Sequence, residues 1–304
     1  MTRKLLPGQQ ANLYLIEVDT AKAALRFSSD ELHFEAPNWS PDGAELFLNG
    51  DGRLFRLGIQ AGGHEEIPLD GVAEINNDHV LSPDGGTVYV SSEDGHIYAV
   101  PMDPLALDAA GDAGAGPAAS PRRVTNDNGP HFKHYLHGIS SDGAVLAYIR
   151  LTDKDAVSDG QVRTNVFLVP SAGGPDVQLT DDHFPDDGAE FSPDGEWIYF
   201  NSERGSTLPG HAQLFRMPSA GGTPEQLTHD GRVNWFPHPS PDGSRIAYVS
   251  FPPGTVGHPE NVDVVVRLLE TDGTIRDLAH VFGGQGTMNV PSWSPDGRKI
   301  AIVA

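Results

Sequence analysis

Short apolar and alternating segments run along the whole chain and predict an all-β protein. They include AELFLN, GTVYVS, AVLAYI, EWIYFN, SRIAYVS and RKIAIV. Each segment follows a turn that contains glycine and is too short for a typical helix, as expected for strands. In five cases a second strand of similar character comes next, as in RLFRL, HIYAV and NVFLV.

The turn before each of these segments is a repeated tetrapeptide. Ser-Pro-Asp-Gly begins at residues 40, 82, 192, 240 and 294, and the variant Ser-Ser-Asp-Gly begins at 140. Successive copies start 42, 58, 52, 48 and 54 residues apart. Ser, Pro and Gly at the first, second and fourth positions are typical of a type I turn. A period of this length with four strands in each repeat predicts a six-bladed β-propeller of four-stranded blades.

The two ends of the chain predict how the ring closes. The sixth repeat ends after its second strand, whereas NLYLIEV and AALRFS near the N-terminus resemble the third and fourth strands of other repeats. We therefore predict one propeller domain over 1–304, with blade 6 built from 1–28 and 288–304. The Ala/Gly/Pro-rich segment 103–121 lacks periodicity and predicts a flexible surface insertion in blade 2. Two stacked β-domains are the alternative, but no shift in composition marks a boundary.

The net charge, the absence of cysteine and the absence of long apolar segments exclude several kinds of partner and site. With 20 Lys and Arg against 42 Asp and Glu, the formal net charge is −22, which repels phosphate backbones and makes nucleic acid an unexpected partner. The absence of cysteine excludes disulfides and thiolate metal sites. The chain starts without an apolar stretch of signal-peptide length and has no run that could span a bilayer, so a cytoplasmic location without membrane contact is expected.

Most of the 13 histidines map to one mouth of the predicted ring. In a propeller the first strand of each blade lines the central channel, so the loops that enter these strands form the mouth opposite the repeated turns. Histidines at or before first strands are His33, His79, His131, His134, His137, His183, His229 and His238, and two more, His211 and His258, fall in loops between second and third strands. Histidine side chains from several blades are therefore expected to meet at the same mouth of the channel.

Convergence of histidines from different blades is a way to build a metal site, because one strand cannot supply three ligands to one ion. The candidate ligands are His79, His137 and His238. Histidine and carboxylate ligands suit Mn²⁺ or Zn²⁺, whereas Ca²⁺, as a structural ion, would need more oxygens. Each of these histidines taken alone is also consistent with ordinary packing.

Other polar and aromatic residues are candidates for the same mouth. Arg204 is expected to grip a substrate carboxylate, with an ordinary loop ion pair as the alternative. The candidate catalytic residues are His137, His183 and Arg204. The candidate ligand-binding residues are Asn38, Asn77, Glu190, Trp235 and Gln285.

The repeats FSPDGEWIYFNSERG and NWFPHPSPDGSRIAYVSF resemble the TolB-like propeller family, whose blades carry a WSPDG…IAFVS…LT pattern. The resemblance covers essentially the whole chain and implies the six-bladed fold. Propellers of this kind recognise proteins or peptides at the funnel. Oligogalacturonate lyases use the same fold and hold a metal with histidines, which is an analogy of fold and histidine content.

Two functions follow as hypotheses. One is an enzyme that binds a small polar ligand, a sugar or a uronate, at the histidine-rich mouth and catalyses metal-assisted elimination or epimerisation, with a histidine as base. The other is a non-catalytic scaffold that binds a protein or peptide. A structural ion that only joins the blades is a third alternative.

Overall fold

The computed structural model describes residues 3–60, 63–102 and 120–304, and these residues form six antiparallel sheets. Blade 1 contains β3 (Phe34–Trp39), β4 (Glu45–Gly50), β5 (Arg53–Gly58) and β6 (His64–Ile67). Blade 2 contains β7 (Ile75–Leu81), β8 (Thr87–Ser92), β9 (Ile97–Pro101) and β10 (Arg122–Arg123). Blade 3 contains β11 (Phe132–Ile139), β12 (Val145–Thr152), β13 (Arg163–Pro170) and β14 (Val177–Gln178), with a 3₁₀ helix at Lys154–Ala156. The prediction of an all-β six-bladed propeller is confirmed.

The second half of the ring repeats this arrangement. Blade 4 contains β15 (Asp186–Phe191), β16 (Trp197–Ser202), β17 (Gln213–Pro218) and β18 (Glu225–Gln226). Blade 5 contains β19 (Val233–Pro239), β20 (Arg245–Phe251), β21 (Glu260–Glu270) and β22 (Ile275–Gly284). The segment predicted as an insertion, 103–121, lies outside the described residues except for its last two positions.

Blade 6 joins the two ends of the chain, as predicted. Its sheet has the order β2 (Lys22–Ser29), β1 (Ala11–Glu17), β23 (Lys299–Val303). The innermost position is occupied by 287–293, which bonds to β23 through the Trp293–Ile300 bridge. Leu13 pairs with Val303 and Glu17 with Lys299, so the N-terminal strand lies against the C-terminal strand. The ring is therefore closed by backbone hydrogen bonds between the two termini.

Each repeated tetrapeptide forms the same hydrogen-bonded turn. In blade 1, Gly43 N–H donates to Ser40 O at 2.9 Å, and the Ser40 hydroxyl donates to Asp42 Oδ1 at 2.7 Å. The Ser40 hydroxyl also accepts from Glu45 N–H at 2.9 Å, which starts the second strand of the blade. The glycine has φ +71°, a conformation that favours glycine over other residues. The tetrapeptide thus fixes both the turn and the register of the next strand.

The hydrophobic core is divided among the contacts between neighbouring blades. One cluster joins Leu13 of blade 6 to Phe34 and Leu46 of blade 1, and another joins Leu146 of blade 3 to Val80 of blade 2. The other four contacts between blades have clusters of the same kind. Because every sheet packs on both faces, its inner and middle strands are apolar on both sides rather than strictly alternating. The blades therefore hold each other in place around the channel.

Candidate functional site

A cavity of about 420 Å³ occupies one mouth of the ring, at the end of the inner strands that lies away from the repeated turns. We call it the funnel cavity. All six blades contribute to its wall. Residues from the inner strands and their continuations include Glu35, Asn76, Asn77, Asp78, Lys133, Tyr135, His137, Asp187, Phe236 and Asn289. Residues from other segments include Arg3, Asn49, Asp51, Glu93, His258 and Gln285. The turns themselves surround a separate depression on the opposite face.

A β-bulge in the inner strand of each of blades 1 to 5 directs side chains into the funnel cavity. The pairing with the second strand shifts between Glu35 and Asn38 in blade 1, and between Asp187 and Glu190 in blade 4. Blades 2, 3 and 5 have a shift at the corresponding place. A bulge inserts an extra residue and changes the direction in which neighbouring side chains point. The same irregularity, repeated around the ring, thus creates the site.

Because the bulges lie at similar places in the blades, the residues that line the cavity can be located by their distance from the turn serine. The residue five positions before each turn serine is Glu35, Asn77, Tyr135, Asp187, Trp235 or Asn289. All of these except Trp235 line the funnel cavity. Trp235 lies behind the wall, where its ring centre is 4.4 Å from that of His258.

His137, Asp187 and His258 form a charged group on the wall. Asp187 Oδ1 lies 2.8 Å from His137 Nε2, and Asp187 Oδ2 lies 3.5 Å from His258 Nε2. The first contact is an ion pair whose geometry does not align as a hydrogen bond. His137 Nδ1 donates to the carbonyl oxygen of Asn289 at 3.3 Å. Both nitrogens of His137 therefore face oxygen acceptors, which favours the imidazolium form.

The pKa values of this group agree with its contacts. Burial alone would lower the pKa of His137, but the carboxylates of Asp78 and Asp187 outweigh it and raise the pKa to about 9. Burial would raise the pKa of Asp187, but His137 and His258 hold it well below its ordinary value. The pair is therefore an imidazolium beside a carboxylate at neutral pH.

Asp78 is the second buried carboxylate of the funnel cavity. It is 4% exposed and accepts a hydrogen bond from Asn76 Nδ2 at 2.9 Å. Burial raises the pKa of Asp78 to about 6, against the opposing effect of His137. Burial, together with Asp78 and Asp187, also raises the pKa of Tyr135 to about 12. This part of the wall is therefore electronegative.

The N-terminal segment closes one side of the funnel cavity. Arg3 forms an ion pair with Glu35 of blade 1 and lies 3.4 Å from a carboxylate oxygen of Glu260 of blade 5. It also donates to the carbonyl oxygen of Gln285 at 2.8 Å. Arg3 thus connects blades 1 and 5 across the composite blade.

Some of the residues predicted from sequence meet in the funnel cavity and others do not. His137, Asn77 and Gln285 line it, and Trp235 supports His258 from behind. His183 lies on an exposed loop, with its ring against Phe184.

The side chain of Arg204 forms ion pairs with two carboxylates of the same blade. Its guanidinium donates to both carboxylate oxygens of buried Asp186 at 2.8 Å and lies 3.2 Å from Asp182. Of the two alternatives for Arg204, the structure shows the loop ion pair. The residue fixes the loop that leads into blade 4.

Asn38, Glu190 and His238 lie further along the channel, toward the turns. Asn38 Nδ2 donates to Pro291 O at 2.6 Å, which ties blade 1 to blade 6. His238 Nδ1 lies 2.6 Å from Glu190 Oε2, and His238 Nε2 donates to Met288 O at 3.0 Å. Asn38 and Glu190 border the depression on the opposite face.

The three histidines expected to share a metal have different surroundings. His79 is fully buried, its Nε2 donates to Phe47 O at 3.3 Å, and burial lowers its pKa to about 4. His137 and His238 have the partners described above. In the part of the chain that the structure describes, the one group of three His or carboxylate side chains with ligand atoms within 4.8 Å of one another is His131, Asp153 and Asp155. It lies in blade 3, where the loop before β11 meets the segment after β12.

Sequence reasoning missed several residues of the funnel cavity. Asp78 and Asp187 were not candidates, and His258 was assigned to this mouth without a role. The position five before each turn serine identifies Asp187 once the bulge is known, whereas Asp78 lies four positions before its turn serine, next to Asn77. His258 has no such signal, because it lies in a loop between the second and third strands of its blade.

Comparison with known proteins gives the class and the family. No protein-family model matches the chain. A solved structure from Agrobacterium tumefaciens, provisionally named TolB, is 35% identical, with a TM-score of 0.83 over 97% of this chain and 98% of the other. The uncharacterized protein Atu1656 of Agrobacterium fabrum is 36% identical over 98% of this chain and 94% of its own length. An oligogalacturonate lyase solved in complex with manganese is 16% identical, with a TM-score of 0.58 over 90% of this chain and 74% of the other.

The fold and the funnel cavity define a six-bladed β-propeller with a polar central site. At more than a third identity over nearly its whole length, the chain belongs to the TolB-like propeller family represented by the two Agrobacterium proteins. The lyase is similar in fold alone. None of the helices among the described residues is long and apolar enough to cross a bilayer.

Proposed function

We propose that this protein binds a small polyhydroxylated ligand in the funnel cavity. The observation that carries the proposal is a set of buried polar atoms without hydrogen-bond partners in the described part of the chain: Asn49 Oδ1, Asn77 Nδ2 and His258 Nδ1. They belong to blades 1, 2 and 5, and all three residues line the same cavity. Buried polar groups are normally hydrogen-bonded, so a wall of this kind favours a ligand that supplies the partners.

The chemistry of these atoms favours hydroxyl groups. The wall combines acceptors, such as carboxylates and amide oxygens, with donors, such as amide nitrogens and imidazolium. A hydroxyl group both donates and accepts, so a sugar-like molecule satisfies a mixed wall better than an apolar one does. A volume of about 420 Å³ is within the range of small-molecule sites, roughly 300–1,000 Å³.

The catalytic form of the proposal is proton transfer at the bound ligand, for elimination or epimerisation. Asp78 takes a proton from a C–H bond of the ligand, and the imidazolium of His137 stabilises the electron pair that remains. In an elimination, that pair forms the double bond, the leaving oxygen departs, and His137 supplies its proton. Each of these residues lines the funnel cavity.

Manganese, as in the oligogalacturonate lyase structure, fits this funnel poorly. His137 contacts Asn289 and Asp187 with its two nitrogens, and the funnel residues do not form a group of three ligand atoms within 4.8 Å in the described chain. We therefore derive no step through a metal at this site.

The proposal is tested by ligand titration of the purified protein, using calorimetry or ligand-observed NMR with a panel of monosaccharides and disaccharides. Wild type should bind at least one member, and Asn77→Ala should weaken that binding at least tenfold. Asn126→Ala is the matched control, because Asn126 lies on the outer surface and bonds to Gly174 O. If no sugar binds, or if both variants bind like wild type, the proposal is rejected.

A second candidate is that the rim of the funnel binds a protein or peptide. Leu208 and Val256 are 65% and 72% exposed and lie on loops of blades 4 and 5 that meet at Gly210. Two exposed apolar residues on adjoining loops are what favours a contact surface at this part of the rim. The double variant Leu208→Ser/Val256→Ser should remove a stoichiometric partner captured by wild type. If an identified partner is captured equally by the variant, this candidate is rejected.

A further inference from the structure

We propose that the funnel ligand carries a positive charge, and that its ammonium group binds beside Asp78. The ligand class would then be a small polyhydroxylated amine, such as an amino sugar. This inference rests on the binding part of the proposed function and deepens it by naming the charge of the ligand. Asp78 then anchors the ammonium group, in place of the role as base that the catalytic form gives it.

The first argument is the balance of charge on the wall. Five carboxylates line the funnel cavity, against two side chains of Arg and Lys and two histidines. Without Glu93, the other four carboxylates still outnumber the charged side chains of Arg3, Lys133 and His137. The carboxylates are Glu35, Asp51, Asp78, Glu93 and Asp187, and the basic residues are Arg3, Lys133, His137 and His258. An anionic ligand such as a uronate would add to the excess, whereas a cation would balance it.

The second argument is that the basic groups nearest the wall are already engaged. Arg3 is paired with Glu35 and Glu260. His137 is in contact with Asp187 at 2.8 Å. Lys133 is exposed at the rim, so it keeps its hydration. The interior of the cavity therefore has no free Arg or Lys among the described residues that could receive a carboxylate.

The third argument is the position of Asp78. This carboxylate is buried on the wall, its side chain accepts a hydrogen bond from the neutral amide of Asn76, and no Arg or Lys of the described chain forms an ion pair with it. The basic groups that act on it electrostatically, His137, His258 and Arg3, are also in contact with Asp187 or Glu35. Buried carboxylates are normally paired with a cation, because desolvation of an unpaired charge is unfavourable. A ligand ammonium beside Asp78 supplies that pair.

The electrostatic state of neighbouring groups supports the same site. Burial raises the pKa of Asp78 to about 6, and burial with Asp78 and Asp187 raises that of Tyr135 to about 12. The part that Asp78 and Asp187 play in the shift of Tyr135 indicates a region where a further negative charge is unfavourable. Tyr135 and Phe236 also line the cavity, and aromatic rings attract cations.

The test compares ligands that share a ring and differ in charge. Glucose, galactose and mannose are titrated beside their 2-amino counterparts and their uronates, by calorimetry at pH 7.5. We expect at least one amino sugar to bind tenfold or more tightly than its neutral counterpart, and the uronates to bind more weakly than either. Asp78→Asn should remove the preference for the amine while neutral sugars still bind.

Two further variants complete the test. Asp19→Asn makes the same change in net charge at a side chain 81% exposed on the outer surface, and should leave the preference intact. Asp51→Asn removes another lining carboxylate and should reduce the preference about threefold or more. Equal binding of neutral and amino sugars, or tighter binding of uronates, overturns the inference and leaves the proposed function standing. A wild-type protein that binds no member of the panel overturns both.

Discussion

Asp187 Oδ1 lies 2.8 Å from His137 Nε2, although the two residues belong to different blades. Each lies at the bulge of its inner strand, and the bulges of blades 3 and 4 face the same cavity. The two residues meet because blades 3 and 4 each have a bulge at the same place in the inner strand. The bulges bring the carboxylate of Asp187 next to the imidazolium of His137.

The charged state of His137 predicts how stability depends on pH. Its pKa in the folded protein is about 9, above the ordinary value of 6.5, so protonation favours the folded state. This stabilisation is complete below about pH 6.5 and is lost as the pH rises through 9. Between pH 6 and 9 the free energy of unfolding of wild type should fall by about 1–3 kcal/mol relative to His137→Gln, measured by urea denaturation.

The control for this prediction is His183→Gln, which removes a histidine from an exposed loop. Its stability should follow that of wild type across the same pH range. Parallel curves for wild type and His137→Gln would show that His137 does not gain a proton on folding.

The ionised carboxylate of Asp78, which the proposal uses for ligand binding, should destabilise the folded protein. Its pKa is raised to about 6 from 3.8 because the ionised carboxylate is buried. The contribution of Asp78 to stability is thus full below about pH 4 and is lost as the pH rises through 6. Asp78→Asn should be more stable than wild type at pH 7.5 by about 1–3 kcal/mol, and the difference should vanish near pH 4.

Asp19→Asn again serves as the exposed control and should leave thermal stability unchanged at both pH values. A destabilised Asp78→Asn at pH 7.5 would mean that the carboxylate has a stabilising partner in the folded protein. The ligand titrations above are run on the same samples, so stability and binding are compared directly.

We predict that Arg204 stabilises the folded protein and does not contribute to binding of a funnel ligand. It is 14% exposed and pairs with Asp186, whose side chain is fully buried and whose pKa burial raises to about 6. Arg204→Met leaves that carboxylate without a cation and should lower the free energy of unfolding by about 3 kcal/mol at pH 7.5. Affinity for a funnel ligand should be unchanged in the fraction that remains folded.

The matched control lies in the same blade. Arg216 pairs with Glu225, which is 54% exposed, so Arg216→Met should reduce stability by less than about 1 kcal/mol. Equal effects of the two substitutions, or a loss of ligand binding specific to Arg204→Met, would contradict the assignment.

Most of the fold could be predicted from the sequence, because each blade is marked by the same tetrapeptide turn. Ser40 and its equivalents hold the turn and the next strand by their own hydrogen bonds, so a tetrapeptide is enough to locate every blade. Closure by β1 and β23 could likewise be inferred, since two strands were lacking at one end and surplus at the other. The turn depends on residues near one another in the chain, and closure follows from the number of strands at each end although it pairs distant residues.

The site is less visible because it depends on backbone irregularity and on contacts between blades. The bulge at Asp187 cannot be seen in the residue pattern, and it shifts by a few positions which side chains face the cavity. Histidine content predicted a site at this mouth and selected His137, which lines the funnel cavity, but it also selected His183, which is exposed. The partner of Arg204, Asp186, lies at the start of the neighbouring strand, and only the loop conformation brings the two together.

Gly138 provides a test of how closely blades 3 and 4 must approach for His137 and Asp187 to meet. A Cβ on Gly138 would lie 2.9 Å from both Ala189 O and Glu190 Cα, which are backbone atoms of the next inner strand. Gly138→Ala must therefore separate the two strands beside the charged pair, and should lower the free energy of unfolding by about 1–3 kcal/mol. Because His137 would move away from Asp187, the fall in stability between pH 6 and 9 should also become smaller.

Gly231→Ala is the control, because a Cβ there would have no heavy atom within 4 Å. It should change stability by less than about 0.5 kcal/mol and keep the wild-type pH dependence. If Gly138→Ala is destabilised but retains the full pH dependence, the strands have adjusted without separating the pair, and the proximity of His137 and Asp187 does not require glycine at this position.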